Sequence, residues 1–318
     1  MTAPLDADLV RVLALLPKTD MGVATPASFR AMMRDLAAAR AAVPPPEVAA
    51  IADVALAGAG GALRARVYRP TAQRAPTVVY FHGGGWVAGD LETHDRPARL
   101  LAIETGAVVV AVDYRRPPET RFPGAFDDAL AALRDVAARI GEFGGDARRL
   151  AVAGDSAGGN LAAAVAIACR DAGLPLAAQL LIYPVTDVAG RYADPRENAR
   201  FASREANADG YFLTLPMMAW FAGHYLTDDE AARDWRASPL RAPSLAGVAP
   251  AVVCTAGFDP LRDEGEAYAD ALEAAGVALR RHHGAGLIHG YFGMGEASAA
   301  ARAEAARARR DFRALIEA

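Results

Sequence analysis

From about residue 48 onward, short apolar runs alternate with longer segments of helical period. The runs "ALRARVYR", "TVVYFH", "AVVVAVDY", "RLAVAGD", "AQLLIYPV", "AVVCTAG" and "ALRRHH" read as strands. Several are apolar without a break, as strands covered by helices on both faces are. Between them the period predicts helices over Arg96–Thr105, Phe126–Phe143, Ala157–Asp171 and Leu261–Ala275, with a closing helix from about Glu296 to Glu317. Strands and helices in strict alternation fold as βαβ crossovers, so the chain belongs to the α/β class with an open, doubly wound parallel sheet. Such sheets hold ligands at the carboxyl ends of their strands.

Two segments break the alternation. Residues 1–45 look helical and end in "VPPPE". Residues 186–240 are rich in turn formers and aromatics and contain "DGYFLTLPMMAWFAGHYL", a helix opened by Thr214 as N-cap with Pro216 in its first turn. A stretch inserted between strands is where a cover over a substrate site is placed.

Composition narrows the ligand. A chain of 318 residues makes one large domain or two small ones. With 34 Lys and Arg against 38 Asp and Glu, a net charge of −4 gives no reason to expect a nucleic-acid or anionic-membrane partner. A small, weakly charged molecule is the expected ligand. The early run "LVRVLALLP" is short and broken by Arg11, which favours an amphipathic helix over a signal segment. No later run approaches the roughly 20 apolar residues of a membrane span. Cys169 and Cys254 sit in separate apolar patterns and read as independent buried thiols, compatible with a reducing cytoplasm.

The chemical signal begins at "GDSAG", Gly154 to Gly158, between a strand and a helix. A serine on a sharp strand-to-helix turn needs small residues two positions to either side; a plain N-cap serine does not. Ser156 is therefore the candidate nucleophile. A serine hydroxyl requires a base to take its proton and an acid to orient that base. His289, in "GAGLIHGYFG" after the last strand run, is the candidate base. His282 and His283 lie in the strand itself, and His94 and His224 read as surface or cap residues. Asp259, between a strand and a helix, is the candidate acid, although it would equally serve as a cap ahead of Pro260; Asp263 and Glu264 would complement the helix dipole. Chain order Ser, Asp, His favours the acid role. The triple glycine of "FHGGGWVAGD" then acquires a task, since backbone amides can approach an oxyanion closely where no Cβ intervenes. Gly84 with Gly83 or Gly85, and Ala157 after the nucleophile, are the candidate donors, with His82 an anchor for the loop.

Together "HGGGWVAGD", "VDYR", "GDSAGGN", "RASPL", "GFDPLRDEGEAYA" and "IHGY" resemble the hormone-sensitive lipase-like, bacterial family IV carboxylesterases of the α/β-hydrolase fold, from about residue 45 to the end. The resemblance implies an eight-stranded, mostly parallel sheet with flanking helices. It implies a helical cap built from residues 1–45 and 186–240 around a core of 46–185 and 241–318. It also implies a Ser156–Asp259–His289 triad, no cofactor or metal, and a small-molecule ester of short to medium acyl chain as substrate. Trp86, Tyr183, Phe212, Met217 and Met218 are expected pocket walls. One departure from the family pattern is Arg116-Pro117, where relatives carry Leu-Ala. Lactones and amides fall within reach of the same residues. Plant hormone receptors share the motifs but lack the histidine, which His289 supplies here. Monomer and homodimer both stay open.

Overall fold

Eight strands form one sheet in the computed structural model, which describes residues 3–17, 19–39, 43–72 and 74–318. After α1 (Ala7–Leu15) and α2 (Pro26–Ala39) come β1 (Ala50–Gly58), β2 (Gly61–Arg69), β3 (Ala75–Phe81), α3 (Asp95–Thr105), β4 (Val108–Asp113), α4 (Gly124–Ala138), β5 (Gly145–Asp155), α5 (Ala157–Asp171) and β6 (Gln179–Ile182). The connection to β7 (Ala251–Phe258) carries four short helices, α6 (Pro195–Asn198), α7 (Ala202–Ala206), α8 (Leu215–Tyr225) and α9 (Asp229–Arg233). The chain closes with α10 (Arg262–Ala274), β8 (Leu279–Ile288) and α11 (Ala299–Glu317). Strand order is β1-β2-β4-β3-β5-β6-β7-β8; β2 is antiparallel to both neighbours and every other pairing is parallel.

The two-residue period of the strands divides the core into two layers. Val79 and Phe81 of β3 and Val108, Val110 and Val112 of β4 meet Phe126 and Leu133 of α4, Leu161 of α5 and Leu272 of α10. The intervening Val78, Tyr80, Val109 and Ala111 meet Leu101 and Ala102 of α3 and Phe312 and Ile316 of α11. All seven sequence-predicted strands and all five predicted helices are present, α5 with the ends expected and the others with shifted ends. β1 is an additional edge strand, and β8 continues through the glycines of "GAG" to Ile288. Among the described residues no helix is long and apolar enough to cross a membrane.

α2 lies against the chain that follows the triple glycine. Phe29 packs on Phe221 of α8 with ring centres 5.2 Å apart. Arg30 donates to the carbonyls of Val87 (2.7 Å) and Pro117 (2.6 Å) and pairs with Glu119, while Arg34 pairs with Asp90 at 2.7 Å. Arg116, the departure noted above, donates to the Gly89 carbonyl. Burial works against the Asp90 carboxylate, but the Thr93 amide and the Arg34 guanidinium outweigh it and hold its carboxyl at about 2. A depressed carboxyl stabilises the fold above its unfolded pKa near 4, and that contribution disappears as pH falls through the folded value. Asp90→Asn is therefore expected to lose about 1–2 kcal/mol at neutral pH. Its denaturation midpoint should converge on that of the parent between about pH 4 and pH 2, and a gap that persists unchanged at pH 2 would contradict the ion-pair account.

Candidate active site

β5 delivers Ser156 onto a tight turn. The residue adopts φ 56° and ψ −118°, left-handed backbone that a serine rarely takes, and its amide is held by the Ile182 carbonyl of β6 at 2.8 Å. The flanking glycines are sterically required: a Cβ on Gly154 would overlap the Gly158 carbonyl, and one on Gly158 would overlap the Phe81 carbonyl of β3. Ser156 leads α5 without making a capping bond. Its Oγ instead lies 3.0 Å from His289 Nε2, and His289 Nδ1 lies 2.7 Å from Asp259 Oδ2. Asp259 is fully buried, and its other oxygen accepts the Leu261 amide at 2.8 Å. The turn-forming role and the contact with His289 are thus both made, one by each oxygen. The three residues follow β5, β7 and β8, so the parallel sheet brings them to one edge although they lie far apart in sequence. His289 follows Ile288 directly, at the turn that ends β8.

The triple glycine lies beside this group, and its three residues are not equivalent. Gly83 donates its amide to Asp155 Oδ1 at 3.0 Å; that N–H is occupied, which removes Gly83 from the expected oxyanion donors. Gly84 (φ 112°) and Gly85 (φ 59°) take conformations that disfavour a side chain, and a Cβ on Gly85 would overlap the Phe221 ring. The amides of Gly84, Gly85 and Ala157 find no acceptor among the described residues. His82 anchors the loop as expected, with Nδ1 2.8 Å from the Gly83 carbonyl and its ring stacked on Tyr114. Burial pushes its pKa down to about 3, so it stays neutral and donates from Nδ1.

A cavity of about 390 Å³ opens over Ser156 and His289. Tyr183, Phe212 and Met217 line it, joined by Phe29 and Met33 of α2 and Leu213 and Phe221 of the insertion. Two expected wall residues do not reach it. Trp86, at φ 60°, turns away and stacks on Tyr225 at 4.2 Å, and Met218 is buried in the core one helical step, about 100°, from Met217. His94 is likewise not a surface residue: it lines the cavity with Nε2 3.6 Å from Asp155 Oδ2. His282 and His283 take the split roles their alternation predicts, the first buried between Glu304 and Asp311, the second exposed beside Thr255.

The insertion after β6 also grips the loop carrying Asp259, which sequence reasoning missed. Asn207 donates to the Asp259 carbonyl at 3.1 Å, and Ser203 exchanges hydrogen bonds with Asp263 and reaches the Pro260 carbonyl. Glu264, expected to complement the helix dipole, is fully buried against Arg204, itself 1% exposed, at 2.7 Å, and also accepts the Thr186 amide. Among the described residues no group of three or more His, Cys, Asp or Glu is gathered as metal ligands would be.

A mostly parallel eight-stranded sheet carrying a serine on a β5–α5 elbow, beside a histidine and an aspartate at the same edge, defines the α/β-hydrolase class. The chain belongs to that family: a family model described as the alpha/beta hydrolase fold matches residues 78–293. Its relatives are the hormone-sensitive lipase-like esterases. It is 42% identical over 271 residues to the carboxylic ester hydrolase LipN of Mycobacterium tuberculosis, covering 81% of this chain and 70% of that one. It is 40% identical to an ethyl acetate hydrolase of Pseudomonas putida, over 74% and 73% of the two chains. The hyperthermophilic esterase of the archaeon Pyrobaculum calidifontis superposes with a TM-score of 0.88 at 38% identity, over 99% of this chain and 98% of that one. An ester hydrolase from the metagenome of Lake Arreo, solved with a bipyridine phosphonate derivative, gives 0.87 at 39%, over 98% of each. The protein is a carboxylic ester hydrolase.

Proposed function

We propose that the protein hydrolyses esters of short to medium acyl chains by two-step acyl transfer through Ser156, His289 and Asp259. His289 Nε2 removes the Ser156 proton as Oγ attacks the carbonyl carbon. Asp259 orients the ring through Nδ1 and stabilises the imidazolium that forms. The carbonyl oxygen becomes an oxyanion facing the amides of Gly84, Gly85 and Ala157. His289 returns the proton to the alkoxide, and the alcohol leaves an acyl-serine. Water then gives a proton to His289 and attacks the acyl carbon; collapse releases the acid and restores the Ser156 hydroxyl.

The observation that carries this reading is the pair of contacts at 3.0 and 2.7 Å, in register, on the floor of an apolar cavity of about 390 Å³. That volume lies toward the small end of ligand pockets and favours short acyl groups, as does the kinship to a protein named ethyl acetate hydrolase. The N-terminal segment 1–45 and the insertion 186–240 act as the cap: Phe29 and Met33 from one and Phe212, Met217 and Phe221 from the other supply the apolar roof.

The test combines a p-nitrophenyl ester series from acetate to palmitate with an alkyl phosphonate inactivator. kcat/KM is expected to peak between acetate and octanoate, with one phosphonate adduct per chain, mapped by mass spectrometry to Ser156. Rates still rising at palmitate would reject the chain-length reading. Inactivation with the adduct elsewhere would reject the nucleophile.

A further inference from the structure

His94 is a half-buried titratable side chain on the cavity wall, and none of the steps above uses it. It occupies the residue before α3 without capping that helix, at 12% side-chain exposure. Its Nδ1 lies 2.9 Å from the Thr93 hydroxyl, and Thr93 is itself fixed by Asp90, accepting the Asp90 amide at 2.8 Å and donating its own amide to Asp90 Oδ1 at 2.9 Å. The opposite ring nitrogen faces Asp155 Oδ2 at 3.6 Å.

Asp155 precedes the nucleophile and is buried. Its Oδ1 accepts two short bonds, from the Tyr80 hydroxyl (2.6 Å) and the Gly83 amide (3.0 Å). A carboxylate at this depth is costly unless compensated. Burial pushes its carboxyl up, but His94 first and then the Tyr80 hydroxyl more than offset this and leave it below the usual carboxylate range. Besides His94, the ionisable side chains around it are Tyr80, Tyr114 and Tyr183, whose protons are held firmly by burial, and His82, kept neutral.

We infer that His94 is a positioning residue for the oxyanion hole: by facing Asp155 it keeps that carboxylate aimed at Gly83, which fixes the start of the loop whose next two amides face the substrate. The loop is clamped at its other end by Arg30 on Val87, Arg116 on Gly89 and Arg34 on Asp90. Without His94, Asp155 would keep only the Tyr80 hydroxyl and the Gly83 amide, both on Oδ1, and the aim of its carboxylate at the first end of the loop would loosen. Donors in an oxyanion hole act through pre-organisation, so a shift of a fraction of an ångström at Gly84 weakens transition-state binding more than substrate binding.

The inference rests on the esterase reading above, and its test separates the two. His94→Ala, His94→Gln and Asp155→Asn are compared with the parent on p-nitrophenyl butyrate, and each is titrated with a butyl boronic acid, which becomes tetrahedral on the serine and mimics the oxyanion state. Thermal unfolding is measured beside each. His94→Ala is expected to lower kcat roughly tenfold to hundredfold, to weaken the boronate by a similar factor and to leave KM within about twofold. His94→Gln, whose amide can donate to Asp155, is expected to recover most of the loss, and Asp155→Asn to resemble His94→Ala. Unchanged kcat and boronate affinity in His94→Ala would overturn the inference, as would a change confined to KM, which would make His94 a pocket wall only. His94→Gln as poor as His94→Ala, with both melting like the parent, would also overturn it. A parent that fails to turn over the ester or to bind the boronate would instead sink the underlying reading.

Discussion

Ser156→Ala is expected to abolish ester hydrolysis, with kcat falling about a millionfold, and Asp259→Asn to lower it about ten-thousandfold. The two losses differ because the residues do different things. Without the Ser156 hydroxyl there is no acyl-enzyme, and only the oxyanion donors and the cavity remain to assist water. With asparagine at 259 the nucleophile remains, but an amide nitrogen facing His289 Nδ1 favours the wrong tautomer, and the Nε2 that should accept the serine proton carries one already. Asp263→Asn supplies the contrast. Asp263 accepts the Ser203 amide at 2.7 Å and pairs with Arg262, so its loss should leave kcat within about threefold. Steady-state kinetics on a short-chain ester, with circular dichroism to verify the fold, decides the matter. A larger loss at Asp263 than at Asp259 would reverse the assignment of the acid, and a Ser156→Ala variant at parental rate would reject the nucleophile.

The largest effect on stability is expected at Arg204, well away from the reacting atoms. Arg204 and Glu264 are both essentially inaccessible, joined through Nε (3.2 Å) and Nη2 (2.7 Å) to one carboxylate oxygen, while the other accepts the amides of Thr186 and Asp187. Arg204 also lies over the rings of Tyr192 and Phe201. Removing one partner of a buried pair leaves the other charge uncompensated, at a cost of about 3–5 kcal/mol. Arg204→Met should lose that much in denaturant titrations at pH 8. The deficit should shrink at pH 5, because burial already pushes the Glu264 carboxyl up to about 7, and a protonated Glu264 no longer needs the guanidinium. Glu264→Gln, which keeps an acceptor for the two amides, should cost less than Arg204→Met. A loss under about 1 kcal/mol at pH 8 in Arg204→Met would refute this account.

What the sequence displayed and what it concealed follow a physical division. The interior strands were legible because two-sided burial writes continuous apolar runs, as in β3 and β4. β1 was not: "AIADVALAG" buries only Leu56, and its apolar positions are mostly alanines, which are depleted in strands and give neither an alternating pattern nor a branched apolar run to stand out. β8 was cut short because glycine weakens strands in general, whereas here Gly284 and Gly286 admit the Leu287 side chain and the Pro4 carbonyl. Ser156, Asp259 and His289 were readable from motif and order, since the elbow demands glycines whose absence of side chains is itself a signature. Directions were not readable. Trp86 and Met218 have the right character for a pocket wall, yet a positive φ and one helical step turn them elsewhere. The separate task of Gly83 and the inward position of His94 depend on Asp155, whose partners come from β3 and from the start of α3. No local pattern announces such a meeting.

The grip of α7 on the loop carrying Asp259, through Asn207 and Ser203, has a consequence for how such enzymes diversify. A roof that merely rested on the core could be exchanged between relatives as a module, with new specificity and unaltered chemistry. Here the segment that would be exchanged also holds the backbone of Asp259 in place. A chimera joined at the ends of the insertion would import foreign contacts to residues 257–263, so an exchange that keeps these contacts intact has to run from the end of β6 to the first turn of α10.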